Sequence, residues 1–286
     1  MNKLIYLIGA GRSGTTALAT FLGNSRDITT IGEMHQFFEH LEKGKSCSCG
    51  KEFLECKFWN PILEKLPKEF LENPKKFQEF TEQFEYHSSI PKYLFRKFRV
   101  DEVQKYLEIN EAIFSGFQNR YILDSAKYIG RYLGLRKSKK LEVKAIYLVR
   151  DVRGVVDSFS KQVQSSRKPL SSIVYWLIIN SIAEIIYRFS KEKILKIKYE
   201  DLIETPISEF EKIEKFLDLD LSEIKNRIEK SEPFEMPHIV GGNRIKSSKE
   251  IYFKSDIAWK NKMSRWKQVL YYFLAFPIMI LNGFKL

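Results

Sequence analysis

KLIYLIGAGRSGTTALATFLGNSRDITTIGE, residues 3–33, is the stretch that decides the fold. It begins with a short apolar run, Leu4–Ile8, which predicts a buried strand. Gly9 and Gly14 frame a turn, and Ala17–Leu22 continues with helical composition. Backbone N–H groups at a helix N-terminus are unpaired and attract anions, and glycine lets the backbone approach a ligand closely. The order strand, glycine-rich turn and helix therefore predicts an anion-binding loop.

This loop has the glycine spacing of a nucleoside triphosphate P-loop without its charge. Gly9 and Gly14 match the pattern G-x-x-x-x-G-K-[ST], and Thr16 stands at the hydroxyl position. Thr15 takes the place of the lysine, and the strong cation is Arg12 inside the turn. A triphosphate site uses that lysine together with magnesium to neutralise the β and γ oxygens. The loop therefore favours a less highly charged, phosphate-like group.

GAGRSGTT followed by IGE resembles the 5′-phosphosulfate loop of sulfotransferases that use 3′-phosphoadenosine 5′-phosphosulfate (PAPS) as donor. The combination of Arg12 in the loop and Glu33 after the second strand is similar to the tyrosylprotein and carbohydrate branches of that family. The resemblance implies PAPS as co-substrate and 3′-phosphoadenosine 5′-phosphate (PAP) as product. The residues implied to hold the 5′-phosphosulfate are Arg12, Ser13, Gly14, Thr15 and Thr16.

Further strands are predicted along the chain, at Ile28–Ile31, Tyr121–Leu123, Lys144–Val149 and Ile194–Tyr199. They alternate with helical segments, such as Val152–Ser160 with Asp151 as its expected cap. This pattern is typical of a parallel sheet with helices on both faces. The fold class is therefore α/β, with the three-layer P-loop-type architecture that the resemblance also implies. Ligands of such sheets bind beyond the carboxyl ends of the strands. This rule predicts that Glu33, directly after the second strand, lies on the same edge as the loop.

The resemblance assigns catalytic roles to three charged residues. Glu33 is the general base that takes the acceptor proton, with His35 as the runner-up. Arg12 and Lys127 neutralise the charge that builds up on the sulfuryl and bridging oxygens. Lys127 belongs to a turn, Asp124–Lys127, expected after the third strand.

A second anion site is implied by Arg150 and Ser158, the residues that match the family's 3′-phosphate contacts. A guanidinium fork suits a phosphate monoester, and a hydroxyl adds a neutral donor. Two anion sites imply a nucleotide phosphorylated at both ends of its ribose. A basic glycine-rich loop, His238–Lys246, is expected to close over the nucleotide, with Lys246 as an alternative phosphate contact to its arginine. The cofactor-binding candidates in this loop are Gly242, Asn243 and Arg244.

The domain organisation that follows is one sulfotransferase domain over residues 1–286. Residues 43 to about 118 are punctuated by proline and carry amphipathic stretches such as Phe70–Phe84, which predicts a helical insertion on the acceptor side. Residues from about 238 to 286 are expected to form a C-terminal lid and tail.

The charge balance limits the partners. Against 36 acidic residues the chain has 48 basic ones, a net charge of +12, spread along its length. Such a field attracts nucleotides, acidic glycans or an anionic membrane surface. No helix-turn-helix or zinc-finger pattern indicates nucleic acid. No signal peptide is evident, and no stretch reaches the length of a membrane span. We expect a cytoplasmic protein, with peripheral membrane association left open; the sequence gives no indication of the oligomeric state.

The only cysteines are Cys47, Cys49 and Cys56, an odd number that argues against a disulfide framework. They could bind zinc with His35 or His40 as fourth ligand, but zinc sites usually have paired C-x-x-C spacings. A similar CxCG…CxFW segment occurs in some bacterial relatives of the family. Metal binding, one bridge and free thiols all stay open here, and no metal is assigned to the active site.

The function expected from these features is transfer of a sulfuryl group from PAPS to an acceptor hydroxyl. The acceptor is expected on a glycan or glycolipid, with a peptide tyrosine or a small hydroxylated metabolite as alternatives. No metal is required, because fixed cations meet the leaving phosphate. One rival function is a P-loop nucleotide kinase, which would need magnesium and ATP. Another is a non-catalytic nucleotide-binding module.

Overall fold

The structure is a computed structural model that describes residues 2–161, 167–242, 244–254 and 256–286. Its main strands are β1 (Asn2–Ile8), β2 (Ile28–Gly32), β3 (Tyr121–Lys127), β4 (Leu141–Val149) and β5 (Ile194–Lys198). They form one parallel sheet in the order β2-β3-β1-β4-β5, with helices around it. The predicted fold class is therefore confirmed. Leu4–Ile8 are at most 1% exposed, which explains why their pattern is apolar throughout.

The chain divides into two compact units. The first consists of Met1–Ile8, Thr16–Ala145 and Glu235–Ile251, and the second of Gly9–Thr15, Ile146–Phe234 and Tyr252–Leu286. The expected insertion, residues 43–118, belongs to the first unit. The expected C-terminal segment is shared, since residues up to Ile251 belong to the first unit and the rest to the second.

The first unit contains most of the short helices. The helix α1 (Thr15–Leu22) follows the glycine-rich turn, and the others are α2 (Phe37–Glu42), α3 (Asn60–Leu63), α4 (Lys68–Glu72), α5 (Pro74–Glu85), α6 (Ile90–Leu94), α7 (Val100–Ser115) and α8 (Ile129–Leu135). The amphipathic stretch Phe70–Phe84, expected as one segment, is divided between α4 and α5. Pro74 occupies the first turn of α5, where its missing N–H costs no hydrogen bond. Two short strands, β6 (Phe234–Glu235) and β7 (Glu250–Ile251), pair with each other.

The remaining helices belong to the second unit. They are α9 (Val152–Ser160), α10 (Pro169–Arg188), α11 (Tyr199–Glu204), α12 (Pro206–Leu217), α13 (Ser222–Glu229), α14 (Trp259–Lys262), α15 (Arg265–Leu274) and α16 (Phe276–Leu281). The boundaries of α9 agree with the sequence because Asp151 caps it: its carboxylate accepts the Arg153 N–H at 2.8 Å.

Helix α10 corrects one expectation. Its 20 residues are long and apolar enough to cross a membrane by length and composition, so the statement that no stretch reaches that length is wrong. A single such helix is weak support for a span, because core helices pass the same test. Buried residues along α10, such as Ile173, Trp176 and Ile179, pack as core.

Candidate functional site

The glycine-rich turn is shaped for close backbone approach. Gly14 has a φ of +93°, and a Cβ added there would lie 2.6 Å from the ring of Tyr199. A Cβ at Gly9 would lie 2.6 Å from the carbonyl oxygen of Leu148. Only glycine fits these two positions without displacing the ring or the backbone.

Ser13 carries a buried hydroxyl inside the same turn. Its side chain is fully buried, and its Oγ has no hydrogen-bond partner among the described residues. A buried hydroxyl without a partner costs free energy, so native structures satisfy it with protein, water or ligand. Arg12, one residue earlier, has a φ of 69°, a left-handed conformation that is uncommon for a residue with a side chain. Its guanidinium lies 5.7 Å from the ring centroid of Phe159.

The second predicted anion contact, Arg150, is joined directly to this turn. Its Nη1 donates to the carbonyl oxygen of Arg12 at 3.1 Å. Its guanidinium carbon lies 4.3 Å from the ring centroid of Tyr199, and its buried Nε has no acceptor within the described part of the chain. The structure therefore brings Arg12 and Arg150 together, and it leaves one guanidinium donor available for an anion.

Asp256, which sequence reasoning missed, occupies the other side of this guanidinium. Nη2 of Arg150 donates to the Asp256 carbonyl oxygen at 2.6 Å and to its Oδ2 at 3.2 Å. Burial alone would raise the pKa of Asp256, but Arg150 and Lys161 outweigh it and hold that pKa below its ordinary value. The ionised carboxylate of Asp256 therefore competes with any bound anion for the guanidinium of Arg150.

The remaining residues expected to bind the nucleotide lie at the start of α1, on α9 and in the loop that contains Gly242. Thr15 and Thr16 are buried at the start of α1, and Ser158 is half-buried on α9. Gly242 has a φ of +89° and belongs to the first unit. Asn243 lies outside the described residues, as does the side chain of Arg244.

Glu33 and Lys127, the expected base and cation, form an ion pair in the first unit. The second carboxylate oxygen of Glu33 accepts from Gln36 Nε2 at 3.0 Å. The backbone N–H of Glu33 donates to the Val240 carbonyl at 2.8 Å. Two side-chain contacts therefore orient the carboxylate, and a third holds its backbone. The Glu33 side chain is 12% exposed, so it is still reachable from solvent.

Lys127 is the last residue of a strand that carries a buried polar network. It ends β3 with a φ of 71° and pairs in register with Ile8, the residue before the glycine-rich turn. Asp124 accepts the Ala126 N–H at 2.9 Å and Arg131 Nε at 2.8 Å. Asp124–Lys127, expected as a turn, is thus the end of a longer strand. The strained conformation at Lys127 is of the kind that persists at functional sites.

His35 is a buried neutral imidazole close to this pair. Burial first, and then the charge of Lys127, lowers its pKa well below the ordinary range. Its ring packs edge-on against Tyr128 at 4.6 Å, and its Nε2 lies 3.3 Å from Gln36 Nε2. Its Nδ1 is buried with no partner in the described ranges. The ring is unprotonated at neutral pH and touches the amide that orients Glu33.

The cysteines form a cluster with a histidine that the sequence analysis did not consider. The Sγ atoms of Cys47 and Cys56 lie 3.6 and 3.3 Å from Nδ1 of His238. The proposal of His35 or His40 as fourth ligand is wrong. The two ring nitrogens of His40 contact the Gln36 carbonyl at 3.0 Å and the Gly241 N–H at 3.2 Å.

The strand, the glycine-rich turn and the start of the helix define an α/β fold of the P-loop type. A family model described as the sulfotransferase family matches residues 5–223, more than three quarters of the chain. The chain belongs to the sulfotransferase family. The resemblance read from the loop is therefore confirmed.

Solved structures share the fold. The sulfotransferase domain of the olefin synthase from Synechococcus PCC 7002 has a TM-score of 0.56 and 18% identity, covering 100% of this chain and 96% of that one. The sulfotransferase domain from the curacin biosynthetic pathway gives 0.53 and 18%, covering 100% and 99%. Sulfotransferase STF9 from Mycobacterium avium gives 0.52 and 11%, covering 100% and 78%. No curated protein sequence matches the chain significantly.

Proposed function

We propose that the protein transfers a sulfuryl group from PAPS to an acceptor hydroxyl. The observation that carries the proposal is the joined pair Arg12 and Arg150, with a buried, unsatisfied Ser13 hydroxyl in the same turn. A nucleotide carrying phosphate at both ends of its ribose has two anionic groups for two arginines. Adenosine 5′-phosphosulfate and ATP carry no 3′-phosphate, so neither has an anionic group at that second position of the ribose.

In this proposal the acceptor oxygen attacks sulfur while the bond from sulfur to the bridging phosphate oxygen breaks. Glu33 takes the acceptor's proton, and PAP leaves with the bonding electrons. Arg12 and Lys127 offset the negative charge on the sulfuryl and bridging oxygens. Because these cations are fixed, the chemical step requires no metal.

We propose a carbohydrate hydroxyl, on a glycan or glycolipid, as the acceptor. The resemblance to the carbohydrate branch and the net charge of +12 support this choice. A groove of about 500 Å³ in the first unit is lined by Tyr93 and Phe98 of the insertion, together with the basic residues Lys92, Arg96 and Lys137. Aromatic faces beside cations suit an acidic sugar chain better than an apolar metabolite.

The deciding experiment is incubation of the protein with ³⁵S-labelled PAPS and a panel of glycans, phenols and peptides. We expect label on a glycan and release of PAP, both without added magnesium or ATP. Turnover that requires magnesium and ATP would identify a kinase. Calorimetric binding of PAP with no transfer to any acceptor would identify a non-catalytic module. Label on a tyrosine or a small phenol would support sulfuryl transfer but would contradict the proposal of a carbohydrate acceptor.

Gly14→Ala tests the donor loop. The new Cβ would lie 2.6 Å from Tyr199 at a φ of +93°, so the loop must shift and PAP affinity should fall at least about tenfold. Gly283→Ala is the matched control, since Gly283 has a φ of +71° but nothing within 4 Å. Calorimetry with PAP compares the two variants. Equal affinities would mean that the nucleotide does not lie in this turn.

We propose that the protein is cytoplasmic and associates peripherally with anionic membranes through the second unit. Helices α15 and α16 expose Trp266, Phe273 and Ile280 at 63%, 58% and 53%. The basic residues beside them in sequence are Lys260, Lys262, Arg265, Lys267 and Lys285. A helix with an apolar face and a basic border lies in the headgroup region of anionic bilayers, and tryptophan favours that depth.

Co-sedimentation with lipid vesicles tests this surface. We expect binding to vesicles with anionic lipid and little binding to neutral ones. The double variant Trp266→Ser/Phe273→Ser should bind about tenfold more weakly, because two aromatic side chains no longer enter the interface. Leu94→Ser/Phe95→Ser is the control, since both residues are 71% exposed in the first unit. Equal loss in both double variants, or equal binding to neutral vesicles, would contradict the proposal.

A further inference from the structure

Four potential metal ligands converge in the first unit, on residues 47–56 and on the segment around His238. The ligand atoms of Cys47, Cys49, Cys56 and His238 all lie within 4.8 Å of one another. Cys49 Sγ lies 3.6 Å from Cys56 Sγ, and Nδ1 of His238 lies 3.6 Å from Cys47 Sγ and 3.3 Å from Cys56 Sγ. All four residues belong to the first unit.

Three of these separations, 3.3 to 3.6 Å, are close to those of a tetrahedral zinc site, and the other pairs lie within 4.8 Å. With zinc–sulfur bonds of about 2.3 Å and a zinc–nitrogen bond of about 2.0 Å, sulfurs lie about 3.8 Å apart and sulfur and nitrogen about 3.6 Å. Three cysteines and one histidine are a standard ligand set for structural zinc. A disulfide between Cys49 and Cys56 would need their sulfurs at about 2.05 Å, and it would leave Cys47 and His238 unused.

The surrounding backbone already holds the ligands for such a site. The Cys47 N–H donates to the Lys51 carbonyl at 2.9 Å, and the Gly50 N–H donates to the Cys47 carbonyl at 2.9 Å. Gly50 makes this tight turn with a φ of +85°. Ser48 Oγ donates to the Pro237 carbonyl at 2.6 Å and accepts from the Ile239 N–H at 3.0 Å. Both sides of His238 are thus tied to the cysteine turn.

The imidazole has a fixed orientation as well. Its ring stacks on Phe58 with centroids 5.3 Å apart and planes at 9°. This stack leaves Nδ1 directed at two sulfurs, without any need for the ring to rotate on metal binding. A ring restrained by packing loses little freedom on coordination, which favours affinity.

We propose that Cys47, Cys49, Cys56 and His238 bind one structural zinc ion. With four protein ligands the coordination sphere is closed, so the ion has no open position for a substrate. It cross-links residues 47–56 to a segment nearly 200 residues later in the sequence. Two residues after His238, Val240 donates its N–H to Ile31 at 3.0 Å and accepts from Glu33 at 2.8 Å. The zinc therefore fixes the backbone against which the carboxylate of Glu33 is oriented.

The test measures metal content in protein purified without added metal. We expect about one zinc per chain by elemental mass spectrometry, and a thiolate charge-transfer band after cobalt substitution. Cys49→Ser and His238→Asn should each lose most of the zinc. Ser46→Ala, one residue before the first ligand and exposed, should keep it. A chelator should lower the melting temperature of the wild type and of Ser46→Ala, and change that of Cys49→Ser much less.

Cys49 is the exposed ligand, so its replacement by serine is the substitution least disruptive to packing. Should it still fail to fold, cobalt titration of the wild type decides the matter. Absence of both zinc and the cobalt–thiolate band in the wild type would overturn the proposal. So would a mass two hydrogens lower under non-reducing conditions, which indicates a disulfide, or iron in place of zinc. None of these readouts depends on sulfuryl transfer, so the site is tested separately from the proposed reaction.

Discussion

Glu33→Gln is expected to lower the rate of sulfuryl transfer by roughly 10²- to 10⁴-fold while leaving PAP affinity nearly unchanged. Glutamine keeps the size of the side chain but cannot accept the acceptor's proton. The substitution also removes the charge that pairs with Lys127. Steady-state transfer from ³⁵S-labelled PAPS gives the rate, and calorimetry with PAP gives the affinity.

Glu39→Gln is the matched control for this variant. Glu39 lies six residues later in the sequence and pairs with Lys43 and Lys45 on the surface, so the change in net charge is the same. Its activity should equal that of the wild type. Full activity in Glu33→Gln would remove Glu33 from the role of base. The neutral, buried His35 would then be the next residue to replace, because it contacts the same glutamine.

Local features of the chain were predictable because their causes are local. The glycine-rich turn follows from Gly9 and Gly14, which no other residue could replace at those contacts. Helix α9 was predicted with its bounds because Asp151 supplies its cap. The strand before Glu33 follows from a short β-branched run. Each of these signals needs only a few neighbouring residues.

The misses come from partners distant in sequence. The resemblance to the family predicts a turn at Asp124–Lys127, but Arg131 pairs with the buried Asp124 carboxylate and β3 continues to Lys127. His238 lies 182 residues from Cys56, so no spacing rule connects them. Asp256, likewise, has no local signal that it pairs with Arg150. The sequence contains one weak signal for the metal site, because its three cysteines all lie between residues 47 and 56.

Arg150→Gln is expected to abolish the preference for a nucleotide with a 3′-phosphate. The wild type should bind PAP at least about tenfold, and up to about a hundredfold, more tightly than adenosine 5′-phosphate, since a charged hydrogen bond is worth about 1.5–3 kcal/mol. In the variant the two affinities should become nearly equal. The ratio is measured within one variant, so a general loss of folding lowers both affinities and leaves it informative.

Asp256→Asn changes the contact between Asp256 and Arg150, and it is expected to raise PAP affinity rather than lower it. The Asp256 carboxylate lies 3.2 Å from the Arg150 guanidinium, and a 3′-phosphate bound by that arginine must displace it. Removing the competing charge should raise PAP affinity about two- to fivefold, a small factor because the Asp256 side chain is 44% exposed. Affinity for adenosine 5′-phosphate should not change. If Arg150→Gln kept the preference for PAP, or if Asp256→Asn weakened PAP binding, Arg150 would be a structural residue, and the case for a doubly phosphorylated donor would lose its second anion site.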